Sequence, residues 1–279
     1  MAGFFIWKKL LFLKKQLMMS HFRADLLLVK KLHVRSRTEA QKLIAEGKVK
    51  VLLGTVATLV RKPSEKYPDH CEFLVETGAE QRFASRAGLK LEHALEEHKI
   101  DVSGMLALDV GQSTGGFTDC LLRRGAAHVL GLEVGREQLV PALRADARVT
   151  CIESFNARHL ALADLPEIAQ SGFQITVMDV SFISQHLILP RLPAVLKPGG
   201  WLVSLVKPQF EVGREGLGKN GIVTDHALYP QVQKKLESHC NELGFDVCAY
   251  FPSPIEGGDG NREFLLVARR PENEAPSAD

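Results

Sequence analysis

Met105-Leu-Ala-Leu-Asp109-Val-Gly111-Gln112-Ser113-Thr114-Gly115-Gly116-Phe117-Thr118-Asp-Cys-Leu-Leu122 runs from an apolar segment, through a cluster of glycines, into a second apolar segment. The first part reads as a buried strand and the last as the start of a helix. Glycines are needed between them because the chain turns sharply there and a ligand must approach the backbone with no Cβ in its way. The spacing Gly-x-x-x-Gly-Gly differs from the Gly-x-Gly-x-x-Gly of nicotinamide and flavin sites, and no Gly-Lys-Ser/Thr of a phosphate loop is present. Asp109, just ahead of the first glycine, suits S-adenosylmethionine, a cofactor that carries an ammonium group and no pyrophosphate. The segment is therefore expected to bind this cofactor through Asp109, Gly111, Ser113, Thr114, Gly115, Gly116 and Phe117.

Further strands follow on the C-terminal side. Ala127 to Leu132 is a second strand ending in Glu133, placed to accept hydrogen bonds from ribose hydroxyls. Val149 to Ile152 is a third, followed by Asn156 as a further cofactor contact, and Gln174 to Asp179 is a fourth. Strands at Trp201 to Lys207, Val247 to Phe251 and Glu263 to Ala268 complete an α/β, doubly wound, Rossmann-like sheet. In such a sheet, ligands bind beyond the carboxyl ends of the strands, so Asp179 and Lys207 should face one crevice with the glycine loop. Glu263 opens the last strand. Lys90 lies on a helix from Arg86 to Leu95, with Ser85 expected as its cap.

The chain has 279 residues, 45% of them hydrophobic and 24% charged, which excludes a disordered chain and suits roughly two domains. The five cysteines are scattered, with no Cys-x-x-Cys pair, so neither a disulfide framework nor a zinc knuckle is expected and a cytoplasmic setting fits best. No apolar run approaches the roughly 20 residues that span a bilayer. The net charge of +2 hides an asymmetry: residues 1–66 hold fifteen Lys/Arg against four acids, while the rest of the chain is acidic. A basic head on an acidic body suggests that the head meets nucleic acid. Residues 1–20 form a basic-apolar extension that makes a poor signal peptide, and translation that starts at Met19 would account for it.

In the head, Ser36 and Glu39 form a capping box for a short helix that Gly47 ends, and Lys48-Val-Lys50-Val reads as a strand with both lysines on one face. Arg23, Arg37, Gln41, Lys42, Lys48 and Lys50 are the candidate RNA contacts, binding by backbone and shape more than by base identity. This order over about 21–76 resembles the S4 RNA-binding domain, although Leu53-Gly54 stands where that family has Asn-Gly. A polar linker over 77–84 follows, then the body over 85–270 and a disordered tail over 271–279.

Lys90, Asp179, Lys207 and Glu263 match in order and context the Lys-Asp-Lys-Glu tetrad of the FtsJ-like RNA 2′-O-methyltransferases. Ser85-Arg-Ala-Gly-Leu-Lys90, Asp179-Val-Ser-Phe-Ile-Ser184 and Lys207-Pro-Gln-Phe-Glu211, joined to an S4-like head, resemble the TlyA family, also called haemolysin A. Two departures are Glu133, where that family more often has Asp, and Gln112, where Ala is common and which matters little if it faces away from the cofactor. The resemblance implies a methyltransferase that uses S-adenosylmethionine on a cytidine 2′-hydroxyl of 16S and/or 23S ribosomal RNA, within ribosomal subunits and without a metal or a membrane. A ribose hydroxyl is a weak nucleophile that must be aligned and relieved of its proton. Lys207 is the expected base, Lys90 and Glu263 hold it and the ribose, and Asp179 bridges toward the methyl donor.

Other acceptors fit less well. Asp179-Val-Ser-Phe182 is not the Asn/Asp-Pro-Pro-Tyr of amine methylation, no cysteine sits at either strand end for cytosine C5 chemistry, and the ten histidines lack ligand spacing. Two further classes remain: a membrane-active haemolysin, and a non-catalytic RNA-binding assembly factor that retains the fold.

Overall fold

The structure, a computed structural model, describes residues 21–31, 34, 36–53, 56–75, 82–258 and 260–272. The expected N-terminal extension, most of the linker and all but the start of the tail lie outside these residues. The chain divides into two compact units, Met1–Ala79 and Glu80–Asp279.

In the first unit, β1 (His21–Arg23) leads into α1 (Ala24–Lys30) and α2 (Arg37–Ala45), followed by β2 (Val49–Leu53), β3 (Val56–Leu59), β4 (Lys66–Pro68) and β5 (Glu72–Val75). The Ser36 hydroxyl caps α2 by accepting the Glu39 N–H at 3.1 Å. Gly47, at φ +71°, reverses the chain after the helix, and the Lys48 N–H reaches back to the Leu43 carbonyl. Strand β2 lies between β3 and β5, antiparallel to both. Val49 and Val51 turn inward onto Leu27, Leu28, Leu43, Ile44 and Phe73, which puts Lys50 on the other face. The β2–β3 hairpin closes at the Leu53–Val56 pair, and Gly54 lies outside the described residues.

The second unit contains α3 (Ala87–Glu97), β6 (Leu106–Val110), α4 (Gly116–Arg123), β7 (His128–Glu133), α5 (Pro141–Arg144), β8 (Val149–Glu153) and β9 (Phe173–Met178). These are followed by α6 (Leu192–Val195), β10 (Leu196–Val206), α7 (Leu228–Glu242), β11 (Asp246–Pro252) and β12 (Phe264–Arg269). The sheet order is β11-β12-β10-β9-β6-β7-β8. Strands β6 to β10 are parallel, as a doubly wound sheet requires, while β12 runs antiparallel between β10 and β11. The short link from β11 to β12 has no room for a crossover helix, so the two strands pair head to tail.

Period-two alternation builds a core on each face. Leu265 and Val267 of β12 join Ala107, Val177 and Val203 under α3 and α4. Leu266 and Ala268 join Leu108, Met178 and Leu202 under α6 and α7. Ser85 does not cap α3 with its side chain: the N-cap is Arg86, and Ser85 contributes its carbonyl to the Gly88 N–H. Its hydroxyl occupies the space where a Cβ on Gly116 would stand, so the first turns of α3 and α4 pack face to face.

Candidate active site

The carboxyl ends of β6, β7 and β9 border a pocket of about 780 Å³, within the usual range of small-molecule sites. Gly111 lines it at φ +84°, and a Cβ there would come within 2.5 Å of the Asp179 carbonyl oxygen. The turn thus needs both the conformation and the missing side chain of glycine. Ser113, also left-handed at φ +47°, donates its N–H to Glu133 Oε2 at 2.8 Å, and the Gly135 N–H donates to Oε1 at 2.7 Å. Glu133 is buried and held from both sides beside the pocket. Asn156 also lines the pocket, and its Oδ1 accepts the Arg158 N–H at 3.1 Å. Asp179 completes the lining.

Asp109, Thr114, Gly115, Gly116 and Phe117 are not among the lining residues. Phe117 is buried in the core beneath α3 and α4. Side chains on Gly115 and Gly116 would collide with Leu143 and with Ser85, so these glycines permit helix packing. Asp109 is fully buried and accepts the Thr118 hydroxyl at 2.6 Å, while Thr118 in turn accepts the Gln112 amide at 2.8 Å. Burial raises the Asp109 carboxyl to about 7, against the Thr118 bond and with a smaller push from Asp179. Asp109 Oδ1 lacks a hydrogen-bond partner. Gln112 is not an indifferent substitution, because its amide is buried and fills the space beside Gly131. Nothing in the sequence marked Thr118, whose value lies in its contact with Asp109.

The four tetrad residues converge as two ion pairs. Lys207 Nζ lies 2.6 Å from Asp179 Oδ1, and Lys90 pairs with Glu263. Burial raises the Glu263 carboxyl, Lys90 and then Lys207 oppose this, and Asp179 adds to it; the pairing of Val206 with Phe264 places Lys207 and Glu263 at neighbouring strand ends. Lys207 Nζ also donates to Ser181 Oγ at 2.8 Å, and its side chain is only 13% exposed. Asp179 and Ser181 both line the pocket, which joins the tetrad to it. Ser181 and Phe182 were missed in the sequence because hydroxyl and aromatic loop residues carry no periodicity of their own. Phe182 is 92% exposed at φ +63°, with its ring 5.3 Å from that of Phe210.

Within the first unit, Arg23, Arg37 and Gln41 all donate to the buried Asp25, at 2.9 Å, 3.1 Å and 3.1 Å. Arg23, more than the other two, holds the Asp25 carboxyl well below the usual carboxylate range despite its burial. Lys42 and Lys48 both pair with Glu46, at 3.9 Å and 2.7 Å. These candidate RNA contacts are thus organised by two acids, and Lys50 stands on the outer face of β2. Among the described residues, no helix is long and apolar enough to cross a membrane, and no group of three or more metal-ligating side chains forms.

A glycine turn after the central strand, an acid at the end of the next, and an antiparallel last strand set between its neighbours define the second unit as a Rossmann-like methyltransferase. The FtsJ-like methyltransferase model matches residues 83–270. The chain is 40% identical over 256 residues to the 16S/23S rRNA (cytidine-2′-O)-methyltransferase TlyA of Mycobacterium tuberculosis, covering 92% of each. It is 42% identical over 248 residues to YqxC of Bacillus subtilis, provisionally named an rRNA methyltransferase, covering 88% of this chain and 84% of the relative. A solved structure from Streptococcus thermophilus, provisionally named a hemolysin, matches with a TM-score of 0.67 at 39% identity over 93% of each chain. The chain belongs to the FtsJ-like methyltransferases and, among them, to the TlyA family.

Proposed function

We propose that the protein transfers a methyl group from S-adenosylmethionine to a ribose 2′-hydroxyl, that of a cytidine in 16S and/or 23S ribosomal RNA. The observation that carries this reading is the meeting of Lys90, Asp179, Lys207 and Glu263 at the edge of a pocket bordered by the glycine turn. The pocket suits the cofactor: Gly111 leaves room for close approach, and Glu133 presents a fixed carboxylate for ribose hydroxyls. When bound there, the cofactor supplies an electrophilic methyl on sulfur.

Lys207 is the group suited to remove the ribose proton. Asp179 and Ser181 take two of its N–H donors, so that in the neutral amine the lone pair is left in the third direction to accept the proton of the substrate hydroxyl. The Lys90–Glu263 pair is mostly withdrawn from water, which keeps its field strong where the ribose would sit. Phe182 offers a ring face at the pocket on which an unstacked base can rest, as single-stranded nucleotides do on aromatic side chains. The basic first unit, read as an S4-like module, supplies sequence-independent attachment to the RNA. With these roles the enzyme acts in the cytoplasm, on ribosomal RNA in its folded context.

The test is transfer of labelled methyl from S-adenosylmethionine to small subunits, large subunits and free ribosomal RNA from cells that lack the enzyme. Label on ribosomal RNA supports the proposal. Cofactor binding without transfer to any of the three refutes it in favour of an assembly role.

A further inference from the structure

Glu211 lies in the short turn after Lys207, outside the tetrad, and is largely withdrawn from solvent. Both of its carboxylate oxygens are committed to the loop that follows Asp179. Oε2 accepts the Ser184 hydroxyl at 2.6 Å, and Oε1 accepts the Gln185 N–H at 2.8 Å. The neighbouring Gln185 is itself buried and spends both ends of its amide on β10. Its Nε2 donates to the Leu205 carbonyl at 2.7 Å, and its Oε1 accepts the Ser204 hydroxyl at 2.8 Å. Leu205 stands two residues before Lys207. These four hydrogen bonds, together with that from Lys207 to Ser181, fasten the loop over 180–185 to the segment over 204–211.

What those bonds hold in place is not a relaxed loop. Phe182, inside it, sits at φ +63°, a conformation that side-chain-bearing residues adopt only where their surroundings impose it. Just before it, Ser181 accepts the Lys207 amine at 2.8 Å. The loop thus carries one of the two partners that orient Lys207 together with the exposed ring at the pocket, and Glu211 ties this loop to the chain that carries Lys207. A carboxylate suits the position because it can accept two hydrogen bonds at once, from a hydroxyl and from a backbone N–H.

We infer that Glu211 is a positioning residue for methyl transfer, acting through Ser184 and Gln185 to hold Ser181 against Lys207 and Phe182 in its left-handed conformation. The inference rests on the methyl-transfer reading above. It goes beyond it by assigning a role to a residue that touches neither cofactor nor substrate.

The experiment measures kcat, the KM for RNA and the Kd for S-adenosylmethionine in the full-length wild type and in Glu211→Ala, Glu211→Gln, Ser184→Ala and the double variant Glu211→Ala/Ser184→Ala. Misplacing a catalytic group by an ångström costs on the order of a hundredfold, so Glu211→Ala is expected to lower kcat by roughly tenfold to a hundredfold. The Kd for the cofactor should change less than kcat, because Glu133 and Gly111 lie on other elements while the braced loop supplies only one wall of the pocket. Glu211→Gln should regain most of the loss, since its amide oxygen can accept from Gln185 and its amide N–H can donate to Ser184. The double variant should be no slower than Glu211→Ala alone, since both changes cut one linkage. If Glu211→Ala does not fold, Glu211→Gln and Ser184→Ala carry the test, with kcat lowered in Ser184→Ala by more than cofactor affinity. Unchanged kcat in Glu211→Ala or Ser184→Ala, equal losses in kcat and cofactor binding, or multiplicative losses in the double variant would overturn the inference. Absence of transfer by the wild type would instead overturn the reading on which it rests.

Discussion

Replacing Asp109 by Asn removes the most deeply buried carboxyl beside the cofactor pocket while preserving its shape and its bond to Thr118. An ordinary aspartate titrates near 3.8, whereas burial moves Asp109 to about 7. Between these values the folded protein holds a proton that the unfolded chain has released. The stabilising contribution is therefore fully present below 3.8 and is lost as pH rises through about 7. At about 1.4 kcal/mol per pH unit, this interval is worth roughly 4 kcal/mol at its upper limit. Asn carries no such proton, so the variant should be close to the wild type in stability at pH 4, gain on it up to about pH 7 and level off by pH 8. Urea unfolding of both proteins across that range measures the difference. Contributions from Glu211 and Glu263, also raised by burial, and from His186, lowered to about 4 by burial, occur in both proteins and cancel. Stability curves that run parallel from pH 4 to pH 8 would refute the reasoning.

Two further expectations concern the tetrad and its surroundings. Lys90→Met leaves Glu263 buried without its partner and should cost about 3–5 kcal/mol, while Lys90→Met/Glu263→Leu should recover most of the stability without restoring transfer. Unfolding and activity measured together check this, and a double variant no more stable than the single would count against it. Phe182→Ala should raise the Kd for RNA by roughly 5- to 150-fold, the range expected for loss of one aromatic–base stack at about 1–3 kcal/mol. Filter binding with ribosomal RNA measures it, and unchanged RNA binding would remove Phe182 from that role.

Local chemistry made much of this structure readable in advance. The strand–glycine–helix passage from Leu106 to Arg123, the ends of β9 and β10 at Asp179 and Lys207, and the Ser36 cap follow from periodicity and turn chemistry within a few residues. Contacts across long separations were not readable in this way. Lys90 and Glu263 are 173 positions apart, and only their order and context pointed to a shared site. Asp25 looked like a minor acid in a basic head, yet the fold buries it and gathers Arg23, Arg37 and Gln41 around it. The strain at Phe182 and the brace at Glu211 arise from packing between two loops. No pattern within either loop predicts them.

The central claim is that the methyl group arrives on ribose oxygen with Lys207 as the base. Ribosomal RNA labelled by the wild type and by Lys207→Ala, then digested with alkali, tests it most directly. A free 2′-hydroxyl is the nucleophile that cleaves the neighbouring phosphodiester, so a methyl on that oxygen protects the linkage. The account predicts label in alkali-resistant dinucleotides with the wild type and none with Lys207→Ala, while both proteins bind S-adenosylmethionine alike. Label in mononucleotides, or resistant label with Lys207→Ala at the wild-type rate, would contradict it.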